Sequence, residues 1–186
     1  SPEEFYKQFK FSLLEDFILC TYHPETMNLG ANKNNISELI KAFKAQKLKV
    51  LCTLPNADTE GKIIRQKLLA FEKEYPSKIK CFENLGQKGY LTAMKHCTLM
   101  VGNTSSGIIE SAAFGAPVVN VGNRQEGRLA SNNVVHVKNK ASEIAAGMKA
   151  TIKLKGKKFK LIYGNGKAAP AILAVLRSIK KSIGKR

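Results

Sequence analysis

The sequence predicts an α/β fold, a parallel sheet with helices on both faces, and three observations predict it. Short runs rich in Val, Ile, Leu and Cys recur at Phe17–Thr21, Lys49–Thr53, Ile79–Phe82, 98–101, 117–121 and Val134–Val137. Segments of helical periodicity separate these runs, so the rhythm is strand, helix, strand. The runs are apolar throughout instead of alternating, the pattern of strands buried on both faces. With 186 residues, 44% of them hydrophobic, the chain suits one domain with its own core.

Each further element has its own signal. Ile36, Leu39, Ile40 and Phe43 form an i, i+3, i+4, i+7 stripe, and Asn34 and Asn35 ahead of it are capping-competent, so a helix is expected there. A second helix is expected over 60–74. Residues 158–163 read as a strand. Ile172, Leu176, Ile179 and Ile183 make a last helical stripe, with Pro170 where a first turn tolerates it.

Composition excludes several classes. No apolar run reaches the roughly eighteen residues a membrane helix needs, and the start, Ser-Pro-Glu-Glu-Phe, lacks the regions of a signal peptide. A soluble, cytoplasmic protein with no membrane partner is expected. Cys20, Cys52, Cys81 and Cys97 stand in or beside apolar runs without a C-x-x-C pair, as reduced core thiols do. The three histidines lack ligand spacing, so no metal is expected, and no organic cofactor is implied. Gly164-Asn165-Gly166-Lys167-Ala168-Ala169 imitates a dinucleotide fingerprint, but it follows the last expected strand and no acid stands about twenty positions later. NAD is therefore disfavoured, and no P-loop motif is present.

The charge is uneven. Of 31 Lys+Arg against 14 Asp+Glu, residues 137–186 hold 14 basic residues and one acid, Glu143. A nucleic-acid-binding module is one alternative, since Lys153, Lys155, Lys157, Lys158 and Lys160 cluster with Phe159 and Tyr163 interleaved. The alternation of these lysines with Ile152 and Leu154 instead favours a solvated outer face, and no nucleic-acid partner is expected.

In open parallel sheets ligands gather at the carboxyl ends of the strands. That rule selects Tyr22-His23-Pro24, Leu54-Pro55-Asn56, Glu83-Asn84-Leu85, Gly102-Asn103-Thr104-Ser105-Ser106-Gly107 and Gly122-Asn123-Arg124. The strongest is the run through Gly107 to Glu110, in which a strand turns through small residues into a helix. Main-chain N–H groups there, with the hydroxyls of Thr104, Ser105 and Ser106, suit a phosphate, and Glu110 one turn on suits a ribose diol. Equally, Ser and Glu at this spacing can simply cap the helix. His23, held before Pro24, can donate to a phosphate or move a proton. His96 and His136 lack supporting loops and are read as structural. Arg124 and Arg128 offer guanidinium groups that match phosphate geometry. Asn56 is either an Asx-turn former or a ligand to hydroxyls.

Together, Tyr22-His23-Pro24, Pro55-Asn56-Ala57-Asp58, Asn84-Leu85-Gly86, Val101 to Glu110, Phe114-Gly115-Ala116-Pro117-Val118-Val119-Asn120 and Gly122-Asn123-Arg124-Gln125 resemble the C-terminal half of UDP-N-acetylglucosamine 2-epimerases. The hydrolysing branch, which feeds sialic-acid-type sugar synthesis, is the closer likeness. The resemblance covers nearly the whole chain and runs in order. It implies a Rossmann-like domain, one half of a GT-B-type two-domain enzyme. It also implies that His23 and Asn56 reach the diphosphate and sugar, Thr104 and Ser105 the phosphates, Glu110 the ribose, Arg124 the phosphate region, and Asn84 and Leu85 the uracil; Arg128 is a UDP-binding candidate by its guanidinium alone, with an exposed surface arginine as the other reading. Ser106 and Gly107 would contribute mainly main chain. His23 is the one catalytic candidate. Asn165 stands where the family often has an acid, and no role is carried onto it.

The reaction so implied removes the proton at sugar C2, expels UDP to leave a 2-acetamidoglucal, and adds water to give N-acetylmannosamine. The sugar can be N-acetylglucosamine or a diacetamido trideoxy relative. The chain offers groups for a leaving diphosphate and few for the C2 proton. Residues 1–186 are therefore expected to be a single C-terminal UDP-binding domain whose missing N-terminal partner carries the carboxylates. The fragment alone is expected to be inactive and the full-length enzyme a homo-oligomer. The donor domain of a GT-B glycosyltransferase is the remaining alternative, because it uses the same scaffold.

Overall fold

In the computed structural model, which describes residues 1–25, 29–56 and 59–183, six parallel strands form one sheet. The chain opens with α1 (Pro2–Phe9), then β1 (Phe17–Thr21), α2 (Asn32–Lys44), β2 (Lys49–Thr53), α3 (Thr59–Glu74), β3 (Ile79–Phe82) and α4 (Gly86–His96). It continues through β4 (Leu99–Gly102), the single turn α5 (Ser106–Ile109), β5 (Val118–Val121), β6 (Val134–Val137), α6 (Ala141–Thr151) and α7 (Ala168–Ile183). The strand order is β3-β2-β1-β4-β5-β6. β1 is therefore central, and the direction of strand addition reverses between β1 and β4, where such folds bind ligands.

Alternate strand residues feed two cores. Ile18, Cys20, Val50, Val101 and Val119 pack with Ile36, Leu39 and Phe43 of α2, Ile64 and Leu68 of α3, and Ile144 of α6. On the other face, Phe17, Leu19, Leu51, Met100 and Val118 pack with Phe5 of α1 and Ala93 and Met94 of α4. Every residue of β1 is buried, as a central strand covered on both faces requires.

No helix is expected from the sequence at α1, α4 or α6. α1 carries its own start signal, Pro2 in its first turn and a capping box in which the Ser1 hydroxyl accepts from the Glu4 N–H. The start of α2 differs from expectation. It begins at Asn32, so Asn34 and Asn35 lie inside the helix and neither caps it. The N-cap is Ala31, which makes no side-chain cap, and the buried Asn32 instead ties the helix start to the loop after β1, its Oδ1 accepting from the Glu25 N–H (2.9 Å) and its Nδ2 donating to the Glu25 carbonyl (3.3 Å).

No strand forms over 158–163. That stretch lies along the loop near 129–132, where the Lys160 N–H donates to Asn132 Oδ1 (3.1 Å) and the Tyr163 hydroxyl to the Leu129 carbonyl (2.8 Å). Its polar groups meet loop atoms instead of a strand edge, so no ladder forms. Pro170 does sit in the first turn of α7. The stripe of α7 is formed but uncovered: Ile172, Leu176 and Ile179 are all exposed, and the side chain of Ile183 lies outside the described residues. Among the described residues no helix is long and apolar enough to cross a membrane.

Candidate functional site

The carboxyl ends of β1, β4 and β5 are tied together by one buried residue, Asn103. It follows β4 directly. Its Oδ1 accepts from the His23 N–H (2.7 Å) and its Nδ2 donates to the His23 carbonyl (2.8 Å). Its own carbonyl accepts from an Arg124 guanidinium N–H (3.1 Å) and from Gln125 Nε2 (2.7 Å). One asparagine thus fixes the loop after β1 and the loop after β5 against the turn after β4. Gly102 permits the close approach, since a Cβ built there would overlap the Thr21 carbonyl oxygen.

The Thr104–Gly107 turn is held from behind by a line of hydroxyls. Thr53 Oγ1 meets Thr21 Oγ1 (2.6 Å), Thr21 meets the Tyr90 hydroxyl (3.1 Å), Tyr90 meets Ser106 Oγ (2.9 Å), and Ser106 meets Thr104 Oγ1 (3.0 Å). Burial pushes the Tyr90 hydroxyl pKa up despite these bonds, so it stays protonated and can donate. Ser105 is the N-cap of α5 without making a side-chain cap. Its hydroxyl and the main-chain N–H groups of Thr104, Ser105 and Ser106 have no partner among the described residues. Donors left open at the switch point are what an anion needs. Because α5 is one turn long, any attraction for an anion here comes from these local donors more than from a long helix dipole.

Arg124 adds charge. Partial burial, and then the positive charge of Arg128, lowers the Arg124 pKa. Arginine nevertheless stays cationic in proteins, so two like charges are held near each other and an anion between them relieves the repulsion. Glu110 is exposed at the end of α5, about 6 Å along the axis from Ser106, and its carboxylate has no hydrogen-bond or ion-pair partner among the described residues.

Asn56, Asn84 and Leu85 follow β2 and β3, on the opposite side of β1 from the turn after β4. Asn56 is exposed after β2, and Ala57 and Asp58 beside it lie outside the described residues. Asn84 makes a local turn, its Oδ1 accepting from the Gly86 N–H (3.1 Å). The Leu85 side chain is buried in the core beside α4. Gly107 is buried, with Val118 3.2 Å from where a Cβ would stand, so it serves close packing. Asn103, Gln125 and Tyr90 were missed. Their signal was present only as asparagine and glutamine beside glycines, and as one tyrosine in a helix.

A cleft of about 420 Å³ adjoins the cluster at the ends of β5 and β6, lined among others by Asn120, Gly122, Gln125, Arg128, His136 and Lys138. Another, of about 280 Å³, opens at the amino ends of the strands. Its Lys49 is paired with Glu15 (2.7 Å), and Lys80 with Glu72 (3.2 Å), so those charges are already used. Among the described residues no three His, Cys, Asp or Glu side chains gather as a metal would require.

The fold defines a Rossmann-like domain, and this edge leaves hydrogen-bond donors open at its switch point. The sequence profile described as UDP-N-acetylglucosamine 2-epimerase matches residues 3–177, and the chain belongs to that family. It is 37% identical over 155 residues to the GDP/UDP-N,N'-diacetylbacillosamine 2-epimerase (hydrolyzing) of Campylobacter jejuni, covering 83% of this chain and 39% of that protein. It is 30% identical to the UDP-N,N'-diacetylbacillosamine 2-epimerase (hydrolyzing) of Legionella pneumophila, covering 94% and 46% respectively. The chain thus spans less than half the length of these relatives. Among solved structures, the UDP-GlcNAc 2-epimerase of Methanocaldococcus jannaschii, in complex with UDP-GlcNAc and UDP, superposes with a TM-score of 0.72 at 17% identity, over 95% of this chain and 49% of that one. The ADP-heptose heptosyltransferase II of Escherichia coli gives 0.60 at 14% identity, covering 82% and 51%. Epimerases and glycosyltransferases therefore share this fold.

Proposed function

We propose that this chain is the nucleotide-binding part of a hydrolysing UDP-amino-sugar 2-epimerase. The observation that carries the reading is the Asn103 hub, which gathers His23, the Thr104–Ser106 turn and Arg124 at one edge. In this reading the turn and Arg124, with Arg128 behind it, hold the diphosphate, Glu110 takes the ribose diol, and the Asn84–Leu85 main chain and Asn56 meet the uracil and sugar. His23 stands where the bond between C1 and the diphosphate breaks. Water is consumed: UDP-sugar plus water gives the C2-epimeric free sugar plus UDP. The chain's role is to stabilise charge on the leaving UDP. The C2 proton is moved by groups outside this chain, in a preceding domain of the same polypeptide, and the complete enzyme works as a cytoplasmic homo-oligomer.

The names of the relatives support a diacetamido trideoxy sugar as one substrate class beside N-acetylglucosamine. The test is an assay of the full-length gene product on both UDP-sugars, separating free sugar from UDP-linked sugar. Release of a free C2-epimeric sugar with equal UDP is expected. A donor-sugar transferase would release none without an acceptor, and that result would overturn the reading.

A further inference from the structure

Glu25 lies two residues after His23 yet reaches across to the far side of the switch point. Its Oε1 accepts from Asn139 Nδ2 after β6 (3.0 Å) and from the Asn123 N–H after β5 (3.3 Å). Both ends of this contact are themselves fixed. Asn32, the first residue of α2, clasps the Glu25 main chain at its N–H and its carbonyl. Asn139 is oriented by the Tyr22 hydroxyl, which donates to its Oδ1 (2.8 Å) and is kept protonated by burial and by the charge of Glu25. Gly122 has φ +75°, and a Cβ built there would overlap Glu25 Oε1 and stand 2.5 Å from Asn139 Nδ2. Only glycine leaves room for the carboxylate.

From this we infer that Glu25 is a positioning residue, a latch that holds the Gly122–Arg124 loop in register with His23. The Asn103 hub ties the same two loops from below, through the carbonyl that Arg124 meets. A single tie allows a loop to pivot. Ties at Asn123 before Arg124 and at Gln125 after it fix the direction from which the Arg124 guanidinium meets an anion, and preorganised charge binds more tightly than charge that must be ordered on binding. A carboxylate near a diphosphate is unfavourable unless its charge is engaged, and here it is spent on two N–H donors.

The inference rests on the proposed UDP reading for its ligand but not for its geometry, and the test separates the two. Amide hydrogen exchange of Asn123 by NMR, and calorimetric titration with UDP and uridine, are compared for the wild-type chain and for Glu25→Ala, Glu25→Asp and Glu25→Gln. Alanine removes the acceptor. Aspartate keeps the charge and shortens the reach by one methylene, and it also serves if the alanine variant does not fold. Glutamine keeps the reach and an acceptor oxygen while removing the charge. Alanine and aspartate are expected to speed Asn123 exchange and weaken UDP about tenfold, as loss of the acceptor from its place beside Asn123 implies, with uridine little changed. Glutamine is expected to stay within about twofold of wild type in both. Unchanged Asn123 exchange in the alanine and aspartate variants overturns the latch, and so does faster exchange with unchanged UDP affinity. Absence of UDP binding by the wild-type chain instead counts against the proposed function, while the exchange measurement still decides whether Glu25 anchors the loop.

Discussion

Asn103 and His23 are bonded in both directions, side chain to main chain: Oδ1 accepts from the His23 N–H at 2.7 Å and Nδ2 donates to the His23 carbonyl at 2.8 Å. With Asn103 fully buried, neither bond can be replaced by water. Asn103→Ala is expected to cost about 2–4 kcal/mol, two buried hydrogen bonds with their partners left unmet, read as a lower melting temperature. Asn103→Asp loses the donor to the His23 carbonyl and is expected to be no better tolerated.

Tyr90 reaches the Ser106 turn from α4. Removing its hydroxyl breaks two contacts, but Thr21 keeps Thr53 and Ser106 keeps Thr104. Tyr90→Phe is therefore expected to cost only about 1 kcal/mol of stability, with UDP affinity falling severalfold because the turn loses its support. Denaturant unfolding and titration check the two separately.

Gly102 sits at the reversal point, and the atom its Cβ would meet is main chain, which cannot swing away. Gly102→Ala is expected to destabilise by about 3 kcal/mol or more through backbone displacement of β1 from β4. A circular-dichroism melt superimposable on wild type would contradict this.

Asp16, ahead of β1, accepts from Lys155 Nζ and Thr98 Oγ1, each at 2.6 Å, and these bonds, with the charge of Lys155, hold its pKa below the ordinary 3.8. A depressed carboxyl favours the folded state above its unfolded value, and that contribution disappears as pH falls through the folded value. Melting temperature is thus expected to drop on acidification below about pH 4, with a shallower drop in Asp16→Asn.

The strands were legible because their signal is dense. A central strand such as Phe17–Thr21 is buried at every position, so its whole sequence is apolar. The helix stripe from Ile36 to Phe43 was legible for the same reason, since those residues make one face of the core. Its start was not, because three of the first four residues of α2 are asparagines and only tertiary contact with Glu25 selects Asn32. The false strand at 158–163 had the right local propensity but no neighbouring edge to pair with. In the site, the Thr104–Ser106 turn announced itself by composition. The hub did not: an asparagine bonded to main chain eighty residues away leaves no local pattern, and the same holds for Glu25 and Asn139. The exposed apolar stripe on α7 was legible as a helix, yet nothing in its periodicity says whether it is covered.

The most direct test of the central claim is calorimetric titration of this chain with UDP, UMP and uridine at moderate salt, repeated with Ser105→Ala and Glu110→Ala. The account predicts affinity falling in the order UDP, UMP, uridine, with Ser105→Ala weakening the two nucleotides and Glu110→Ala weakening all three ligands. Equal affinity for UDP and uridine, or UDP binding untouched by both substitutions, would contradict a diphosphate site on the Thr104–Ser106 turn.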